Sequence, residues 1–187
     1  AGHGRRTGCL AQLCRAAGQC REDGSDQSGR RSPMRVRRRT AAQVHVREME
    51  GALLVHGCPP DSPTTYLHHM HLSEIREIFA ATQFDIAFAG HSHRLMLMRY
   101  DEKLEFASLR QEIIQLRPGC RHIVNVGSVG QPRDGDPHAK YVIWDSFRNT
   151  LEIRRIAYDI ARTALLIRER GFLQRDAERL FSGTCSD

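Results

Sequence analysis

Residues 85–93 read Asp-Ile-Ala-Phe-Ala-Gly-His-Ser-His, an apolar run that ends in a glycine and two histidines. A short apolar run bounded by a turn residue is typical of a buried strand. Residues 52–57 follow the same plan, since Ala-Leu-Leu-Val runs into a histidine and a glycine. Side chains just past the carboxyl end of a buried strand lie where α/β proteins usually build sites. The sequence therefore places His56, His91 and His93 at the binding edge of a sheet.

The rest of the chain predicts a mixed α/β fold. Apolar residues at helical spacing over residues 72–80 predict a helix between the two histidine-bearing strands. Further strands are predicted at 95–98, 123–126, 141–144 and 151–156, and further helices at 159–170 and 174–182. The last two strands bracket a turn at 148–150 and form a hairpin. This order indicates layered α/β architecture with much of the sheet antiparallel.

Residues 1–40 differ from the remainder in composition. They are rich in Arg, Gly, Ser and Gln and poor in β-branched and aromatic residues, which predicts a disordered segment before a domain at 41–187. Eleven arginines and five acidic residues fall within 1–50, whereas 51–187 is neutral. Nucleic-acid binding is thus unlikely, because the basic excess belongs to a tail and not to a folded face. The first methionine is Met34, which suggests a truncated chain.

Cysteine spacing and hydropathy limit the compartment. The six cysteines form no CxxC pair, which favours reduced thiols over a zinc ribbon or a disulfide framework. No apolar run approaches the roughly 20 residues of a membrane helix, and no signal peptide is recognisable. We therefore expect a cytoplasmic protein without a membrane partner; its oligomeric state is not predicted.

The histidines invite a metal-binding interpretation. Neutral imidazole is the commonest protein metal ligand, and two histidines at i and i+2 can share an ion or bind two. The alternative is a pair of hydrogen-bonded loop histidines, and the third histidine at a strand end favours the metal. A cluster at His68, His69 and His71 is expected to be a surface feature and not a third metal site.

Three motifs in order resemble the calcineurin-like metallophosphoesterases, in the branch of small bacterial and archaeal phosphodiesterases. They are Val-His-Gly at 55–57, Phe-Ala-Gly-His-Ser-His at 88–93 and Asn-Val-Gly-Ser-Val-Gly-Gln-Pro-Arg-Asp-Gly-Asp-Pro at 125–137. The resemblance covers roughly residues 45–183. It implies the αββα sandwich of metallo-dependent phosphatases, here without its N-terminal half. It also implies hydrolysis of a small-molecule phosphoester, either a phosphodiester or a nucleotide.

The resemblance also implies a centre of two divalent ions, which in this family are manganese, iron, nickel or zinc. His56 and His91 would share one ion and His93 would bind its neighbour, with a hydroxide between the ions attacking phosphorus. Asn125 and Arg133 would bind substrate. Arg133 has an alternative role, in which it holds its own loop through Asp134 or Asp136.

The sequence departs from the family at its amino end. Residues 1–50 contain no Asp-x-His, Gly-Asp or Gly-Asn-His-Asp motif, so the bridging aspartate, the asparagine ligand and the proton-donating histidine are not found there. Three neutral imidazoles do not balance the four positive charges of two divalent ions. We therefore expect the chain to be a weak or inactive hydrolase by itself, with no catalytic residue assigned. The alternative is a catalytically inactive binding scaffold of the same fold.

Two structural expectations follow from the same departure. Without the missing layer, the strands at 51–56 and 85–89 should present apolar faces and open edges. Cys58 stands where the family usually has serine, and a thiol beside a metal site could bind zinc or be oxidised.

Overall fold

A computed structural model describes residues 46–49, 51–107, 109 and 111–184. The segment 1–40, predicted to be disordered, lies outside the described residues. The strands are β1 (Val46–Met49), β2 (Ala52–Val55), β3 (Ile86–Ala89), β4 (Leu95–Tyr100), β5 (Leu104–Phe106), β6 (Ile113–Gln115), β7 (Arg121–Val126), β8 (Ala139–Asp145) and β9 (Thr150–Ile156). The α-helices are α1 (Leu72–Ala81), α2 (Ile160–Glu169) and α3 (Gln174–Ser182), and a 3₁₀ helix spans Leu67–His69.

Six strands form the first sheet, in the order β1-β2-β3-β7-β4-β5. The three central strands β2, β3 and β7 run parallel, and the flanking pairs are antiparallel. Every residue of β2 and β3 is buried, which agrees with their unbroken apolar sequence, since parallel strands are covered on both faces. Parallel pairing brings the carboxyl ends of the three central strands to one edge.

Both faces of the first sheet are covered. Ile75 and Phe79 of α1 are buried against one face. The opposite face packs on a second, antiparallel sheet of order β6-β9-β8, and Phe88 is among the residues of the core between them. The layers therefore run helix, sheet, sheet, and the predicted α/β fold class is confirmed.

The predicted hairpin and helix ends are also confirmed. β8 pairs with β9 in antiparallel register, and the carboxylate of Asp145 accepts hydrogen bonds from backbone N–H groups in the turn between them. Asp159 caps α2 by accepting from the N–H of Arg162 at 2.8 Å. Beyond α2, Gly171 adopts a φ of 76°, the left-handed conformation that ends helices.

The prediction of open edges at strands 51–56 and 85–89 is wrong. β1 pairs with the whole of β2 across a turn at Gly51, and β7 pairs with β3. The edge strands of the first sheet are therefore β1 and β5, and Arg47 and Glu48 of β1 are exposed. Charged residues on an edge strand disfavour pairing with another chain.

None of the helices in the described part of the chain is long and apolar enough to cross a membrane.

Candidate metal centre

The predicted histidines come together at the carboxyl edge of the parallel strands. His56 directly follows β2, and His91 and His93 follow β3 by two and four residues. The N–H of Gly90 donates to the carbonyl of His56 at 2.9 Å, which ties the two loops to each other. The parallel register of β2 and β3 thus sets the spacing of the imidazoles.

His56 and His91 form a close pair. Nδ1 of His91 lies 3.3 Å from Nε2 of His56, and the ring centroids are 5.1 Å apart. Two nitrogens bound tetrahedrally to one zinc-sized ion at about 2.0–2.1 Å are themselves about 3.3 Å apart. The ring of Tyr66 stacks on His91 at 4.2 Å and restricts its orientation. This separation fits an N–H···N hydrogen bond between the two imidazoles, and it also fits a single shared ion.

The loop that carries His91 and His93 is held in an unusual backbone conformation. Both histidines have positive φ values, 54° and 58°. Non-glycine residues rarely adopt this region, and such strained positions concentrate at functional sites. Buried Asn125 stabilises the loop from below, because its Nδ2 donates to the carbonyl of Gly90 and to Oγ of Ser92, both at 2.7 Å.

His93 is held by a different partner. Its Nδ1 lies 2.8 Å from the carbonyl oxygen of Gln131, so Nδ1 carries the proton and Nε2 is left as the electron-pair donor. Burial lowers the pKa of His93, and the nearby charges of Arg133, His91 and His56 act in the same direction against the opposing Gln131 bond. A neutral, oriented imidazole of this kind is suited to binding a metal.

Arg133 lies next to His93. Its backbone N–H donates to the carbonyl of His93 at 3.0 Å, and its Nη2 donates to Oε1 of Gln131 at 2.9 Å. Its Nε is buried and has no hydrogen-bond partner among the described residues. Within that part of the chain, Asp134 and Asp136 form ion pairs with Lys140 and none with Arg133.

The residues present fit part of a two-metal centre. Imidazole nitrogens converge at His56 and His91, and His93 stands nearby on the same loop. Within the described ranges, however, no group of three or more His, Cys, Asp or Glu side chains could hold a metal ion. A pair of divalent ions needs bridging negative charge, so these residues alone do not fit a dinuclear site.

A solved metallophosphoesterase from Sphaerobacter thermophilus resembles this chain with a TM-score of 0.65 and 30% identity, over 75% of this chain and 59% of that one. The chain is thus similar to a metallophosphoesterase in both fold and sequence. An uncharacterised protein of Methanocaldococcus jannaschii, MJ0912, is 36% identical over 99 residues, which are 53% of this chain and 40% of that protein. No family model matches. The chain thus spans less than two thirds of either relative.

Cys58 does not behave as expected for a thiol beside a metallophosphoesterase centre. Its Sγ donates to the carbonyl of Pro59 at 3.2 Å and lies 3.6 Å from the sulfur of Met70. Burial and the charge of Glu74 raise its pKa to about 11. Only the thiolate binds metal or reacts readily, so the raised pKa disfavours both reactions at Cys58 in the metal-free chain.

The predicted surface cluster divides into two parts. His68 and His69 pack on Tyr66, each with ring centroids 5.4 Å away, and so they lie one residue removed from His91. His71 instead belongs to the start of α1, where its N–H donates to the carboxylate of Glu74.

Sequence reasoning missed three residues of the metallophosphoesterase-like site: Tyr66, Gln131 and Lys140. Gln131 acts through its backbone carbonyl, a group that every residue type has, so its identity in the sequence gives no signal. Tyr66 lies in a loop without a periodic pattern. Lys140 gave a usable signal, since it directly precedes the predicted apolar strand 141–144, and a lysine there must find charged or polar partners if it is buried.

Proposed function

We propose that this chain carries the histidine ligands of a metal-dependent hydrolase that acts on a phosphodiester or nucleotide. The observation that carries the proposal is the 3.3 Å separation of the His56 and His91 nitrogens at the end of two parallel strands. The family relationship supports the reaction class. The cysteine pattern favours a cytoplasmic location for this activity.

The three histidines have separate roles in this proposal. His56 and His91 hold one divalent ion, and His93 offers Nε2 to a second ion whose bridging carboxylates would have to come from residues other than these three. Imidazole suits zinc, iron and nickel. Manganese is a harder Lewis acid that prefers oxygen ligands, and it is the alternative. Bound ions would supply a hydroxide nucleophile and neutralise charge on the phosphoryl oxygens.

Arg133 is the proposed substrate-binding residue. Arg133 is a partly exposed residue beside His93; its buried Nε has no partner among the described residues, and its Nη2 donates to Gln131. A guanidinium can bind phosphate oxygens through two parallel hydrogen bonds, which here would need the Arg133 donors to turn from Gln131 toward the substrate. The contacts of Asn125 point to a different role from substrate binding, because its buried amide is fully used in holding the histidine loop.

We further propose that the chain alone hydrolyses phosphoesters weakly or not at all. Two divalent ions carry four positive charges, and the donors found at this edge are neutral. The same shortage of carboxylates favours the second candidate, an inactive scaffold of the same fold. The two candidates differ in whether the histidines bind metal.

Metal titration of the purified chain tests the proposal. Cobalt(II) should bind with absorption bands typical of nitrogen ligation, and His91→Ala should abolish them. His71→Ala removes an exposed histidine at a helix start and should leave them unchanged. Cobalt binding that is the same in wild type and His91→Ala would refute the histidine centre and favour the scaffold.

Hydrolysis of bis(p-nitrophenyl) phosphate with added manganese tests the claim of weak activity. The rate should stay near that of manganese alone. A rate well above that background, lost in His91→Ala, would show that the chain completes its own centre.

A further inference from the structure

The most buried cation of the described chain lies beneath the loop that holds His93. The side chain of Lys140 on β8 is 1% exposed. Its Nζ donates to Oδ1 of Asp134 at 2.9 Å, to the carbonyl of Asp136 at 2.5 Å and to the carbonyl of His138 at 3.2 Å. These three acceptors use all three ammonium hydrogens.

The backbone makes room for this lysine. Gly127, at a φ of 76°, lies so close that a Cβ there would come within 3.1 Å of the Lys140 Cβ. The backbone N–H of Lys140 donates to the carbonyl of Ser128 at 2.8 Å. Both ends of the loop 127–138 are therefore fastened to one residue.

From Lys140 a short series of contacts leads to His93. The second carboxylate oxygen of Asp134 accepts from the N–H of Leu95 at 3.0 Å, two residues beyond His93. The N–H of Arg133 donates to the carbonyl of His93, and the carbonyl of Gln131 accepts from its Nδ1. Loop residues 131 and 133 thus bind His93 directly, and Asp134 binds the backbone two residues further on.

The electrostatics make Lys140 hard to replace. Asp134 is largely buried, at 16% side-chain exposure, and the Lys140 ammonium is its ion-pair partner. Asp136 has further partners, since Nδ1 of His138 lies at 2.6 Å and Nε of Arg155 at 3.6 Å. Loss of Lys140 would therefore affect Asp134 most, and with it the tie to Leu95.

We propose that Lys140 is a positioning residue that holds the loop 127–138 through Asp134 and so keeps the imidazole proton of His93 on Nδ1. The inference rests on the proposed metal-binding role of His93. It concerns a residue that touches neither metal nor substrate and acts only through Asp134 and the loop.

Long-range ¹H–¹⁵N spectra of the imidazoles in the metal-free chain at neutral pH provide the test. Wild-type His93 should show one tautomer, with Nδ1 protonated. In Lys140→Met the two ring nitrogens of His93 should shift toward each other, because the tautomers exchange. Asp134→Ala should give the same result and decides the matter if Lys140→Met does not fold.

Phe79→Leu is the matched control, because it weakens the core on the opposite face of the first sheet. This variant should leave His93 in a single tautomer at comparable loss of stability. A single unchanged tautomer in folded Lys140→Met and Asp134→Ala would overturn the proposal, and so would tautomer exchange in Phe79→Leu.

Cobalt(II) affinity gives a second readout. Outer-shell partners typically change metal affinity by about 10–100-fold, and a loss of at least about 10-fold is expected for Lys140→Met and Asp134→Ala. Unchanged affinity in both would contradict the positioning role. If wild type binds no cobalt, the proposed function fails, while the spectra of the metal-free chain still decide whether Lys140 sets the tautomer.

Discussion

The two ends of β7 carry buried polar side chains in opposite circumstances. At the carboxyl end, Asn125 is 1% exposed and its amide bonds to Gly90, Ser92 and Gly127. At the amino end, His122 is 2% exposed, and its Nε2 has no hydrogen-bond partner among the described residues. A buried polar group whose hydrogen bonds are all made helps to fix one native structure. A buried polar group that lacks a hydrogen bond lowers the free energy of unfolding, and lowers it further if the group becomes charged.

The comparison extends to the second sheet. Lys140 joins the satisfied end, where its ammonium, Asp134 and the loop after β7 form one connected network. The histidine edge is thus built from polar groups that hold one another in place. At the opposite end of the sheet, burial and nearby positive charges favour the neutral form of His122.

The largest expected effect comes from breaking the network at Lys140. Lys140→Met should lower the free energy of unfolding by about 3–5 kcal/mol, because it leaves buried Asp134 without its cation. Urea denaturation measures this loss. The control is Arg148→Met, which removes an ion pair to Asp145 whose arginine is 77% exposed and should cost less than about 1 kcal/mol. Similar losses in both variants would contradict the distinction.

The next effect is a pH dependence at the unsatisfied end. Burial lowers the pKa of His122 to about 4, helped by the charges of Arg99 and Arg117. Since the unfolded chain takes up this proton near pH 6.5 and the folded chain only near pH 4, stability is lost as the pH falls between these values. Over that window the loss attributable to His122 should reach about 3 kcal/mol.

His122→Leu isolates this contribution. The variant cannot titrate at this position, so its stability should fall less than that of wild type when urea denaturation is compared at pH 7 and pH 4. Equal losses in the two proteins would show that His122 has the same pKa in the folded and the unfolded chain.

The smallest of the three effects concerns the satisfied amide. Asn125→Ala should cost about 2 kcal/mol, because it leaves the carbonyl of Gly90 and the hydroxyl of Ser92 without their donors. Gln174→Ala removes an exposed amide on α3 and should change stability by less than about 0.5 kcal/mol. The histidine loop should also become mobile in Asn125→Ala, which hydrogen exchange at Ser92 would detect.

Local patterns were sufficient to predict the secondary structure around the site. The strands that carry His56 and His91, the helix between them and the β8–β9 hairpin all follow from apolar periodicity and turn residues. The end of α2 near Gly171 follows from residue type, because glycine tolerates the left-handed conformation in which helices often end. The edge protection by β1 was not predicted, since a four-residue polar strand has too short a pattern to recognise.

By itself, the sequence determined which residues could bind metal and on which strand ends they would lie. It also determined that the described chain would be a layered α/β fold related to the metallophosphoesterases. Those properties depend on residue type and on spacing along the chain, which are local. The tertiary structure alone decided that His56 and His91 pair at 3.3 Å, that Gln131 sets the tautomer of His93 and that Lys140 is buried beneath their loop. The two histidine contacts join residues 35 and 38 positions apart, and strand register brings these together. The Lys140 contacts are closer in sequence, but they depend on how the loop before β8 folds over the buried ammonium.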